Sequence, residues 1–124
     1  MENNIFNIKG RIEVVNISGM EETIHNAYEN YLRNKNVRDI LGGYGNPLYS
    51  FIVDKGHRNG DEIHTITDNG VIIIQNYNTK KFITCLIARE GQIRRYFANG
   101  VIPIEVYSIL GKCREYYNKG YNNW

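Results

Sequence analysis

Residues 81–97, KFITCLIAREGQIRRYF, set Lys81, Arg89, Arg94 and Arg95 among the rings of Phe82, Tyr96 and Phe97. Guanidinium forks grip phosphate oxygens in pairs, and aromatic faces stack on bases. The mixture suits a flat, anionic ligand such as a nucleotide. Arg58 adds a further cation, and the amides of Asn76, Gln92 and Asn99 can read base or ribose edges. The candidate ligand-binding set is therefore Phe82, Arg58, Arg94, Arg95, Asn76, Gln92, Asn99 and Arg89. If IRRYF (93–97) is a strand, Arg94 and Arg95 point to opposite faces. Using both would then need two pockets, or one pocket at a subunit boundary. The plain alternative is that these cations merely guard an edge strand against aggregation.

A second constellation has different chemistry. His25, His57 and His64 are the side chains that titrate near neutrality without help. Period two in EIHTIT (62–67) puts Glu62, His64 and Ile66 on one side, and Ile63, Thr65 and Thr67 on the other. A general base, a general acid and an arginine suffice for metal-free RNA cleavage through the 2′-hydroxyl. His64, Glu62, Arg89 and Arg94 are the residues for that role. Strand His/Glu pairs also occur on ordinary solvated faces. A third possibility is a module that only binds another protein through exposed tyrosines.

These residues depend on a framework that the apolar periodicity outlines. NIFNIKGRIEVVNI (4–17) reads as an extended strand or hairpin. Ser18 with Glu21 spells a capping box, and Met20, Ile24, Ala27, Tyr28, Tyr31 and Leu32 form one stripe of an amphipathic helix that fades near 34–36. LGGYGNP (41–47) is a loop whose glycines resemble neither a P-loop nor a dinucleotide fingerprint, which favours a connector around Tyr44. Strands are expected at 48–54, 62–67, 71–77 and 81–89, with Asp68-Asn69-Gly70 as a tight turn, and IRRYF as a last short strand. Pro103 suits the first turn of a C-terminal helix carrying Val106, Tyr107, Leu110, Cys113, Tyr116 and Tyr117.

The sum is one α+β domain over 1–124: a mostly antiparallel β-meander sheet with an N-terminal amphipathic helix and a C-terminal helix. Both helices are expected on one sheet face. In 81–89, period two groups Phe82 with Thr84, Leu86 and Ala88, opposite Ile83, Cys85 and Ile87. Apolar side chains then line both faces, which implies self-association as a dimer or higher homo-oligomer.

Composition narrows the partners. The chain has 124 residues and a formal net charge of +2, from 15 Lys+Arg against 13 Asp+Glu. That balance argues against coating long nucleic acids, whereas a local basic patch in 80–95 favours a compact anion. Cys85 and Cys113 read as buried hydrophobes, and no cysteine or histidine spacing fits a metal or other cofactor. The first residues lack a secretory pattern and no stretch reaches membrane-span length, so no membrane partner and a cytoplasmic location are expected.

Two resemblances follow. The helix-then-meander layout with His and Arg is similar to barnase/RelE-like toxin nucleases. The order strand–acidic helix–meander–helix, and the run from HRNGDEIHTITDNG through KFITCLIAREGQIRRYF, resemble the first Thoeris anti-defence family of phages. A composition rich in Asn, Ile and Tyr fits a prophage of an AT-rich Gram-positive host. That likeness implies a sponge rather than an enzyme: an oligomer that sequesters a cyclic ADP-ribose isomer made by TIR-domain proteins without cleaving it, in the host cytoplasm. It further implies pockets between subunits, and relatives that also hold cyclic oligonucleotides.

Overall fold

The computed structural model describes residues 7–55 and 60–111. β1 (Ile8–Ile12) leads to α1 (Glu21–Lys35), then β2 (Pro47–Val53), β3 (Glu62–Thr67), β4 (Val71–Asn76), β5 (Phe82–Ile87) and α2 (Glu90–Ala98). A further helix, α3, is described over 104–111. The five strands lie in sequence order, each antiparallel to its neighbour, so the α+β class and the meander stand as expected.

The helices do not share a face. Ile24, Tyr28 and Leu32 of α1 pack with Val37, Val71, Ile73, Cys85 and Ile87 on one side of the sheet. Ile93 and Tyr96 of α2 and Val106 and Leu110 of α3 pack with Tyr49, Phe51, Ile66, Ile72 and Ile74 on the other. β4 therefore lies between two helical layers. Its residues 71–75 are buried without alternation because each face has its own cover. The apolar residues on both faces, which suggested self-association, are thus met within one chain.

Local departures have local causes. Helix α1 begins at Glu21 with Met20 as N-cap and no side-chain cap, so Ser18 is not the cap. A turn closed by Met20 N–H on Ile17 O (3.0 Å) separates Ser18 from the helix, and Gly19 N–H donates to Glu21 Oε1 (2.6 Å) instead. At its other end Asn36 adopts the left-handed conformation and donates its backbone N–H to Arg33 O.

In β5 a register shift between Ile74/Gln75 and their partners turns Phe82 to the α1 side, with Cys85 and Ile87. The alternation expected for Phe82 with Thr84, Leu86 and Ala88 fails at that bulge.

IRRYF is helix, not strand. Glu90, Gln92, Arg94 and Arg95 favour a helix, and Ile93 and Tyr96 are its buried residues, spaced for a helical face. Arg94 and Arg95 are consequently about 100° apart on one helix rather than on opposite sheet faces, and both are exposed.

Candidate functional site

Helix α2 and its caps collect five of the eight expected ligand-binding residues. Arg89 is the N-cap, with extended backbone, and is exposed. Gln92 donates from Nε2 to the Tyr96 hydroxyl at 2.9 Å. Arg94 and Arg95 face solvent, and Asn99, at the C-cap, donates from Nδ2 to Arg95 O at 2.8 Å. Gln92 and Asn99 thus already hold structural bonds.

The other candidates lie elsewhere. Phe82 is half-buried against the α1-side cluster. Asn76 closes the β4–β5 turn, its Oδ1 accepting Asn78 N–H and Thr79 N–H at 2.9 Å each. Arg58 and His57 lie outside the described residues. The basic stretch is also divided. Lys80 and Lys81 precede β5 and Arg89 follows it, roughly 25 Å away at about 3.3 Å per strand residue. Lys80 sits over the Tyr77 ring, 4.4 Å from its centroid.

The structure supplies an aromatic partner that the sequence did not assign. Phe97, one turn beyond Arg94, stacks on Tyr107 of α3 with ring centroids 4.4 Å apart and planes inclined by 7°. Phe97 and Ile104 are exposed. Two stacked rings with Arg94 one turn earlier on the same side of α2 form a platform on which a base can lie while a phosphate reaches the guanidinium group; Arg95 lies about 200° round the helix from Phe97. The stack joins residues ten apart across the Gly100–Pro103 connection, so only the presence of Phe97 in the basic stretch hinted at it.

The Glu62–His64 pair forms as expected, with His64 Nε2 2.9 Å from Glu62 Oε1. Its setting is interior: the side chains are only 13% and 16% exposed, and the Phe51 ring centroid lies 5.8 Å from the imidazole. Burial lowers the His64 pKa below its ordinary 6.5, outweighing the opposing pull of Glu62. In the neutral ring, Nε2–H donates to Glu62, and Nδ1 is a buried acceptor with no hydrogen-bond partner among the described residues.

This shift has a consequence for stability. The unfolded chain takes up the proton first, so stability should fall as pH drops through about 6.5 and level off once folded His64 also protonates. Urea midpoints near pH 7 and near pH 5 should therefore differ more in the native protein than in His64→Gln. Equal differences would show that His64 is not buried neutral.

The glycine loop binds an anion, but the anion is its own. Asp39 Oδ1 accepts Gly42 N–H (3.1 Å), Gly43 N–H (3.0 Å) and the Tyr28 hydroxyl (2.8 Å). Burial, then the bond to Asp39, pushes the Tyr28 phenol well above its usual range. A groove of about 640 Å³ beside this loop, at the end of α1, is lined by Glu29, Arg33, Arg38 and Asp39 among others. Its mixed charge offers an anionic ligand no focus. Cys85 is buried with its thiol pushed up to about 11, and is an inert core residue; Cys113 lies outside the described residues. No group of acidic, histidine or cysteine side chains among the described residues could hold a metal ion. No helix among them is long and apolar enough to cross a membrane.

No family model, curated protein or solved structure matches this chain.

Proposed function

We propose that this protein binds a small dianionic nucleotide on the α2–α3 platform and holds it without cleaving it. In line with the family likeness, the ligand is a cyclic ADP-ribose isomer made by TIR-domain proteins, sequestered by a phage protein in the host cytoplasm. The observation that supports this reading best is the stack of Phe97 on α2 against Tyr107 on α3, one turn from exposed Arg94. Aromatic contact holds the base, and Arg94 holds a phosphate. Phe97 is exposed, so a second copy closing over the platform would complete a pocket, as tight burial of a small ligand requires. Cyclic oligonucleotides offer the same chemistry and form the second ligand class to test.

Binding without cleavage fits the place of the Glu62–His64 pair. His64 Nδ1 is buried beneath the helical layer, where it can neither take a substrate proton nor return one. A ribonuclease reading has in its favour the 2.9 Å Glu62–His64 contact, and it requires that pair to open to solvent.

The test is to mix the protein with a TIR-made cyclic ADP-ribose isomer, remove free ligand, heat the complex and analyse what is released. Intact ligand should be recovered. Arg94→Ala and Phe97→Ala should each weaken binding about 10- to 100-fold, on the scale of one stacking or charge-assisted contact, with little change in melting temperature. Ligand left in solution by the native protein would sink the sponge. RNA cleavage lost in His64→Ala would then establish the nuclease.

A further inference from the structure

The two edges of the sheet are built differently. β1 carries Lys9, Arg11 and a bulge at Gly10; Lys9 pairs with Asp61 at 2.8 Å, and Arg11 lies over the Tyr49 ring at 4.6 Å. Charge and a bulge are the usual means of keeping an edge from recruiting another strand. β5, the opposite edge, also carries a bulge, at Ile83, but reads FITCLI, with no charged residue, glycine or proline. Ile83 is 47% exposed, and Thr84 is exposed beside it.

The main chain of β5 has a definite polarity. Ala88 N–H donates inward to Gly70 O at 2.9 Å. Antiparallel alternation in the register Val71↔Ile87, Ile72↔Leu86, Ile73↔Cys85 then turns Leu86 and Thr84 inward, and Cys85 and Ile87 outward. The Thr84 hydroxyl lies 3.5 Å from Cys85 O, at the limit of a hydrogen bond, and leaves the Cys85 N–H untouched. The edge is a row of donors and acceptors beside a short apolar surface.

We propose that the β5 edge accepts an extended peptide segment of a partner protein by strand addition, and that this segment is acidic at both ends. Main-chain pairing supplies the affinity, and Ile83 gives an apolar contact. The charges choose the partner. Lys80 and Lys81 stand at one end of β5, and Arg89 at the other, followed on α2 by Arg94 and Arg95. A second copy pairing antiparallel about Cys85 would set Lys81 against Arg89 of its mate, twice over. Like charges directly opposed disfavour self-pairing, and carboxylates at those positions reverse the sign. The main chain of β5 and Lys81 lie outside the nucleotide platform, so a change at Lys81 tests this edge apart from nucleotide binding.

The experiment titrates the full chain into a short fluorescent peptide of alternating valine and threonine with glutamates at both ends. The same peptide with lysines at its ends, and one N-methylated at alternate amides, serve as comparisons. The glutamate-ended peptide should bind at least about tenfold more tightly than either, and Lys81→Glu should narrow that preference. Lys81 is exposed, so the variant should keep the fold. Equal binding of the acidic and basic peptides overturns the charge argument. Insensitivity to N-methylation overturns strand addition. Self-association that displaces the peptide would show the occupant to be a second copy, and would likewise overturn the proposal. Nucleotide binding measured on the same samples should be unaffected by Lys81→Glu.

Discussion

Replacing Phe51 with alanine should cost about 3–5 kcal/mol of stability, the range for deleting a buried aromatic ring. Phe51 is only 1% exposed and lies at the centre of the face that α2 and α3 cover. Its ring centroid is 5.5 Å from that of Tyr96 in an edge-on contact, 5.8 Å from His64 and 6.4 Å from Tyr49. Three neighbours on three separate elements cannot all move in to fill the space, so the cavity persists. Against a typical total of about 5–15 kcal/mol, such a loss leaves a partly unfolded population, visible in urea titration. Phe51→Leu keeps much of the volume and should cost less than half as much. A loss below about 1 kcal/mol for Phe51→Ala would mean that Tyr96, and α2 with it, does not pack on this face.

What the sequence revealed and what it hid differ by the range of the interaction. Strands β2 to β5 were legible because each is a run rich in β-branched, aromatic or other apolar residues ended by a turn, and Asp68-Asn69-Gly70 closes its hairpin through Gly70 N–H on Thr67 O. The pairing of Glu62 with His64 followed from period two. Its burial did not, because the layer above β3 comes from α2 and α3, some thirty residues later. The short segment IRRYF is apolar at 93, 96 and 97, spacing that a strand tolerates and a helix prefers. Adjacent Arg94 and Arg95 are natural on a helix facing water, and awkward on a strand with one covered face. Reading that segment as a strand put the arginines on opposite faces and both helices on one side of the sheet. The bulge that turns Phe82 toward α1 has no signature in FITCLI, since it arises from register with β4.

The nucleotide reading survives the scatter of its predicted residues only in altered form. Phe82 and Asn76 are occupied by packing and by a turn, so they leave the proposed site. In the proposed site the stacking role passes to Phe97 and Tyr107, whose rings stack on each other one turn from Arg94. Cations spread over a strand would meet an anion one at a time. On the helix they lie about 100° apart, and in the proposed site Arg94, one turn from Phe97, is the residue placed to reach a phosphate of a stacked nucleotide. The placement also separates binding from stability. Arg94 is exposed, so its loss should register in affinity and leave the fold intact.

The glycine loop is a fastened junction, and Thr67→Val should expose this at a cost of about 2–4 kcal/mol. Thr67 is completely buried, and its hydroxyl makes three bonds. It donates to Tyr44 O in the glycine loop and accepts Asn69 N–H (3.2 Å) and Val71 N–H (3.1 Å) in the β3–β4 turn. Neighbouring contacts fasten the same junction. Asp68 N–H donates to Asn46 O, Asp68 Oδ1 accepts Asn46 N–H, each at 2.8 Å, and Asn69 Nδ2 reaches Leu41 O and Gly43 O at 3.0 Å. Gly45, at φ +88°, passes so close that an added Cβ would lie 2.5 Å from Asp68 Oδ1. Valine matches threonine in shape, so the substitution removes no packing; it leaves Val71 N–H and Tyr44 O buried without partners. Thr67→Ser retains the hydroxyl and should recover most of the loss, whereas a packing defect would be as severe in serine as in valine. Amide exchange in residues 41–47 should quicken in Thr67→Val, because the turn that anchors the loop has lost its shared oxygen. Unchanged exchange there, with full stability, would mean that the loop is held by Asp39 and Asn69 alone.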